Sequence, residues 1–217
     1  MFVGHYAAGL ALKKFEKSAS LSVLFLAVQF VDILFFPFVL LGLERLNIVE
    51  NYTQSTHFEL EYMPYTHSLL GSVIWAGVAY ALFRWVIVKK NSVALVVALA
   101  VFSHWLFDLI VHTPDLPLWS DASPKLGLGL WQNAIATFAL EAALLVAALW
   151  LYLRSTSATT AVGKYGIGVF VAFLLVVNLV NIFGPPMGDS QGGLAIFALT
   201  SYFLFAAVAF WLDAKRS

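Results

Sequence analysis

The sequence predicts an all-α polytopic membrane protein, with six transmembrane helices and an N-terminal re-entrant or amphipathic half-helix. Three observations predict it. First, 61% of the 217 residues are hydrophobic and 11% are charged, with a mean hydropathy of +0.87, where a soluble domain carries about 25% charged residues. Second, six apolar runs approach or exceed the roughly 20 residues that a spanning helix needs. Third, nine of the basic residues fall on one side of a six-span arrangement (Lys13, Lys14, Lys17, Lys89, Lys90, Arg154, Lys164, Lys215 and Arg216), leaving Arg45 and Lys125 on the other. By the positive-inside rule both termini are then cytoplasmic, in a bacterial-type inner membrane. Arg84, one turn from the cytoplasmic end, is expected to snorkel.

This composition excludes a soluble enzyme, a disordered chain and a disulfide-stapled module. Twelve basic residues balance twelve acidic ones, so nothing electrostatic favours a nucleic-acid partner. The chain has no cysteine, which leaves only nitrogen and oxygen donors for a metal. No basic region precedes the first apolar stretch, so no cleavable signal peptide is expected. Residues 1–217 read as one membrane domain, with a chemistry-bearing half over 3–119 and three further spans over 128–212.

In chain order, Val3–Lys17 is too short to span. It is either a surface amphipathic helix or a re-entrant half-helix forming a hairpin with the first span, turning at Ser18–Ala19. In the hairpin, His5 and Asp32 each lie about 13 residues from the turn, at about 20 Å depth. Leu21–Leu43 is the first span, interrupted by Pro37, which removes a helix hydrogen bond beside Asp32. Ser55–Tyr62 alternates polar and apolar residues and predicts a short strand or lid, with His57, Glu59 and Glu61 on one side and Phe58, Leu60 and Tyr62 on the other. Thr66–Val88 is the second span, with Thr66 as N-cap and His67 in the first turn, where the helix dipole favours a neutral imidazole. Val93–Val111, Leu128–Leu153, Tyr165–Phe183 and Leu194–Leu212 complete the set. The Gly184–Gly193 loop faces outward with the loops at 44–65 and 113–125. Tyr65, Trp105, Trp119 and Trp131 are expected in an interfacial belt, and Asn178 and Asn181 in inter-helix hydrogen bonds.

Asp32, His104, Asp108 and Glu141 lie inside apolar spans. A buried charge costs roughly 2.5–3.5 kcal/mol, so three unpaired acids would cost about 8–10 kcal/mol. Arg84 is the one basic residue the spans supply, so protons or a metal cation must provide the counter-charge. His104-x-x-x-Asp108 is the sharpest local signal, because positions i and i+4 share a helix face. His104 and Glu141 both sit about 20 Å deep. His67 falls about 13 Å further out, and His112 about 12 Å beyond His104, too far for both to hold one ion.

Gly4-His5, Asp32, Tyr65-Thr66-His67-Ser68-Leu69-Leu70, and Ser103-His104-x-x-x-Asp108 followed by Thr113-Pro114 occur in that order. Over residues 3–119 this resembles the YdjM-type inner-membrane family, described as membrane-bound metal-dependent hydrolases. The resemblance implies His5, Asp32, His67, His104 and Asp108 as metal ligands. The family usually carries a Pro-Asp-x-Asp-like cluster where this chain reads Phe30-Val31-Asp32-Ile33-Leu34, one acid fewer. The set is also similar to the ligands of zinc-dependent phospholipases C, which are soluble.

The expected function is a membrane-embedded metal-dependent hydrolase acting on a lipid or lipid-linked (phospho)ester near the outer interface. Nitrogen and oxygen donors suit Zn²⁺ first, then Mn²⁺ or Fe²⁺. Glu141 or Glu59 would act as base and His112 as acid. A proton-coupled transporter is the first alternative, since intramembrane acids and histidines also build ion paths. A non-catalytic scaffold is the second. Bound, non-exchanging metal favours the enzyme; metal flux into vesicles favours the transporter.

Overall fold

The computed structural model describes residues 1–186 and 190–217. Part of the expected outer loop Gly184–Gly193, residues 187–189, lies outside the described residues. Eight α-helices are described: α1 (Gly4–Lys13), α2 (Leu21–Val28), α3 (Phe30–Leu40), α4 (Leu69–Leu82, continued by a π-helical turn Phe83–Ile87), α5 (Asn91–Val111), α6 (Ala134–Ser155), α7 (Ala161–Phe183) and α8 (Gln191–Asp213). Five helical segments are long and apolar enough to cross a membrane, six if α2 and α3 count as one bent span. The chain is an all-α polytopic membrane protein.

Four helices start where a side chain can satisfy an orphan N–H. Ser68, Asn133, Thr160 and Ser190 accept from Gly71, Ala136, Gly163 and Gly193, which is the N-cap chemistry of small polar residues. The second span therefore begins at Leu69, capped by Ser68 and not by Thr66. Thr66 has another task, described below. The fourth span begins at Ala134 and not at Leu128, because Asn133 supplies the cap.

The first span is broken elsewhere than expected. α2 and α3 meet at 49° at Gln29 (φ −102°, ψ 5°), whereas Pro37 sits within α3. The bend turns the carbonyl of Val28 towards α5, where a side chain takes it up.

α1 is not a surface helix. Eight of its ten residues are buried, which leaves no solvated face of the kind an interfacial helix needs. It packs as a half-helix among α2, α5 and α6. Its basic end is tied down: Lys13 Nζ donates to Asp213 Oδ2 at 2.7 Å and to the Ala19 carbonyl at 2.8 Å. Asp213 also accepts from Tyr152 Oη and the Leu21 amide. One carboxylate thus joins α1, α2, α6 and α8. At the same end Lys90 bonds Glu16 at 3.1 Å.

At the opposite end two short hairpins cover the bundle. β1 (Arg45–Ile48) pairs antiparallel with β2 (Phe58–Tyr62), with Leu46 opposite Leu60 and Ile48 opposite Phe58. β3 (Leu116–Pro117) pairs with β4 (Lys125–Leu126).

Two side-chain expectations need correction. Trp105 and Trp131 are buried and not part of a belt, while Tyr65 and Trp119 are exposed. Asn178 is buried, yet neither Nδ2 nor Oδ1 has a hydrogen-bond partner among the described residues, so the expected inter-helix bond is not there.

Candidate metal centre

α5 presents His104 and Asp108 on one face, both buried. His104 Nδ1 lies 2.7 Å from the Val28 carbonyl oxygen. A carbonyl only accepts, so Nδ1 carries the hydrogen, and in the neutral imidazole that a metal requires Nε2 carries the lone pair. Nε2 points at two carboxylates, 3.0 Å from Asp108 Oδ2 and 3.6 Å from Asp32 Oδ1, and has no hydrogen-bond partner among the described residues.

His67 is oriented in the same sense by a longer chain. Glu44 Oε2 accepts from Thr66 Oγ1 at 2.7 Å, so the Thr66 hydroxyl must accept from His67 Nδ1, 2.8 Å away. His67 Nε2 then faces Asp32 Oδ1 at 3.3 Å and Asp108 Oδ2 at 4.0 Å. His112 Nδ1 donates to Asp115 Oδ1 at 2.8 Å, and its Nε2 lies 3.8 Å from Asp108 Oδ1. Three imidazoles therefore have Nδ1 held by an acceptor and Nε2 directed at buried carboxylates. Outer partners of this kind hold metal-ligating histidines in place.

The α1 half-helix adds His5. Its ring stacks on that of His104, centroids 3.8 Å apart and 5° from parallel. His5 Nε2 is 3.2 Å from Asp108 Oδ1. The Met1 amino group donates to the same oxygen at 2.6 Å. Asp32 is fixed from the second half of the chain, where Tyr202 Oη on α8 donates to Oδ2 at 3.1 Å.

Two overlapping donor sets emerge: Asp32, His67 and His104; and His5, His104 and Asp108, each within 4.8 Å. These groups could hold a metal ion. A tetrahedral Zn²⁺ with ligands at 2.0–2.1 Å sets its donors about 3.4 Å apart. The pairs among His67, His104, Asp32 and Asp108 given above, 3.0–4.0 Å apart, bracket that separation. A lone pair buried against carboxylates is repulsive until a cation lies between them, and His104 Nε2 is in that position.

The five residues implied as ligands stand together. The 13 Å mismatch for His67 disappears because residues 64–67 fold back along α4 instead of extending it outward. The carbonyl of Tyr65 takes a hydrogen bond from Trp75 Nε1, ten residues on, and lies where a Cβ at Gly71 would meet it at 2.6 Å. Glycine permits that approach. His67 is thus outside the helix, just before its Ser68 cap and not in its first turn, and Thr66 selects its tautomer.

The three acid–base candidates separate. His112 borders the cluster and packs on Trp131, with centroids 4.1 Å apart. Glu141 Oε2 accepts from the amides of Phe2 and Gly4 at 3.2 and 2.9 Å, so it holds the start of α1. Glu59 lies on β2 and accepts from Asn47, on the side opposite Phe58 and Leu60, which line the cavity. Glu44, Asp115 and Tyr202 also serve the cluster, beyond the residues that the sequence singles out. Asp115 follows His112 by three residues and could have been found by spacing; Glu44 and Tyr202 carry no local signal.

A cavity of about 1140 Å³, its open mouth included, reaches the cluster from between α3, α7 and α8 beneath the β1–β2 hairpin. Asp32 keeps 18% side-chain exposure, whereas Asp108 keeps 2%. The cluster therefore opens to the cavity at Asp32. Compared with known proteins, the chain matches no family model, no curated protein and no solved structure.

Proposed function

We propose that this protein is a membrane-embedded metal-dependent hydrolase, with Zn²⁺ the preferred ion, acting on a lipid or lipid-linked ester. The observation that carries the reading is the unpartnered Nε2 of His104, buried between the carboxylates of Asp32 and Asp108. The resemblance to the YdjM-type family supports it through the same residues.

Asp32, His67 and His104 would hold one ion, and His5, His104 and Asp108 form the overlapping set beside it, with His104 common to both. When bound, a divalent ion of this kind lowers the pKa of a water molecule and polarises the ester oxygen. The chain's own groups supply the rest. Asp115 holds His112 with Nε2 facing the cavity, able to take the proton of the attacking water and return it to the leaving oxygen. The water oxygen bonds to the phosphorus or acyl carbon, the ester bond breaks, and the departing alkoxide leaves as an alcohol. Glu141 positions α1 and with it His5. Glu59 takes no part, since Asn47 holds it away from the cavity.

The end of the bundle that carries Lys13, Lys90 and Arg216 would face the cytoplasm, which puts the cluster in the outer half of the bilayer.

Elemental analysis of the purified full chain tests the proposal. We expect bound transition metal in the wild type and its loss in Asp108→Ala. Metal-free wild-type protein, together with His104→Ala of unchanged activity, would end it.

A further inference from the structure

We infer that the cavity between α3, α7 and α8 takes the hydrocarbon chain of a membrane lipid, admitted past Phe197 from the bilayer, with the lipid's ester placed at the histidine–aspartate cluster. This deepens the hydrolase reading and rests on it for the identity of the deep end.

Polarity along the cavity is the first argument. Its deep end is formed by Asp32, His67, Asp108 and His112. Away from that end the wall is mainly apolar, with Ser55, Thr56, His57, Asn181 and Ser201 as its polar members. α8 contributes the stripe Leu194, Phe197, Ala198, Ser201 and Tyr202, at the i, i+3, i+4, i+7, i+8 spacing of one helix face. Phe35 and Phe36 face it from α3, and the β1–β2 hairpin closes the top with apolar side chains. One polar end and a long apolar remainder match a lipid. A ligand polar along its whole length would leave groups unsatisfied against Phe35, Phe36, Leu194 and Phe197.

The second argument is where the mouth lies. Phe197 lines the cavity yet is 48% exposed. Its exposed side is continuous with Ile196, Phe203 and Leu204 on the same helix, all exposed. Phe197 sits six residues into α8, about 9 Å along its axis. A wall residue that also faces outward among apolar neighbours gives hydrocarbon a route into the cavity from the side.

The test uses the full chain reconstituted in phosphatidylglycerol vesicles doped with a diacyl phospholipid carrying a photoactivatable diazirine on one acyl chain. After irradiation, we expect label on Phe35, Phe36 and Ala198. Filling the slot with Ala198→Phe lowers that labelling about tenfold while metal content stays at the wild-type level. Phe197→Ala, a change on the lipid-facing surface, raises it. Label confined to Ile196, Phe203 and Leu204 overturns the proposal. So does interior labelling that Ala198→Phe leaves intact. If Ala198→Phe loses metal and label together through misfolding, Phe197→Ala decides alone, and unchanged labelling there is a refutation. Interior labelling in a protein without metal keeps the lipid slot and removes the hydrolase.

Discussion

Glu44 and His67 do not hydrogen-bond to each other, yet Glu44 decides which nitrogen of His67 carries its hydrogen. Glu44 Oε1 accepts from the amides of Tyr65 and Thr66 at 2.9 and 3.0 Å, and Oε2 accepts from the Thr66 hydroxyl. With its hydrogen committed, that hydroxyl can only accept from His67 Nδ1. Nε2 is left bare towards Asp32.

Glu44→Gln reverses the relay. The two amides still need an acceptor, so the new Nε2H₂ group faces Thr66 and donates to it. The hydroxyl hydrogen must then point at His67 Nδ1, and the imidazole hydrogen moves to Nε2, where it blocks coordination. We expect metal affinity to fall about 10–100-fold with little change in fold. Competition titration with a chromophoric chelator reads this directly, and an unchanged dissociation constant would refute the relay.

Tyr202→Phe removes the one hydrogen bond that, among the described residues, the second half of the chain makes to Asp32. A hydrogen bond to a charged group contributes about 1.5–3 kcal/mol, so metal affinity should drop about tenfold or more. The same titration checks it, with helical circular dichroism as the control for folding.

Asp115→Asn leaves the metal-facing carboxylates in place but turns a donor towards His112 Nδ1. The imidazole loses the geometry for moving a proton at Nε2. The expected result is metal content near wild type and hydrolysis of a phosphodiester reporter slowed about 100-fold or more. Parallel metal loss would instead make His112 a ligand.

Glu16, in the turn between α1 and α2, has its carboxyl pushed down to about 2, first by the Ser18 hydroxyl and then by Ser92 and Lys90. Its folded value lies below the ordinary 4.5, so its contribution to stability is complete above pH about 4.5 and is lost as pH falls through about 2. Glu16→Gln should therefore be less stable than wild type at neutral pH, with the gap closing between those values. Thermal melts in detergent across that range measure it, and a gap independent of pH would contradict the assignment.

Periodicity and hydropathy made the helices legible, because burying backbone in hydrocarbon leaves a chain little choice but helix. Their ends were not: hydropathy starts these spans at Thr66, Leu128, Tyr165 and Leu194, whereas the caps Ser68, Asn133, Thr160 and Ser190 start the helices at Leu69, Ala134, Ala161 and Gln191. Thr66 looked like a cap, but Glu44 and His67 claim its hydroxyl, and Ser68 caps instead. Pro37 looked like the break, but the bend is at Gln29, beside the carbonyl that His104 engages. Both outcomes depend on residues distant in sequence, which no local pattern contains.

Among the site residues, His104 and Asp108 were readable from four-residue spacing on one helix, and His5 and Asp32 from equal distance to a turn. Their chemistry was readable too, because charge cannot be left alone in oil. What the tertiary structure alone decided is the direction of each nitrogen: Val28, Thr66 and Asp115 fix the tautomers, and Tyr202 comes from a helix 170 residues away from Asp32. Composition specifies which groups must find a counter-charge. Only packing, which brings acceptors to each Nδ1 and so frees each Nε2, specifies where that charge would sit.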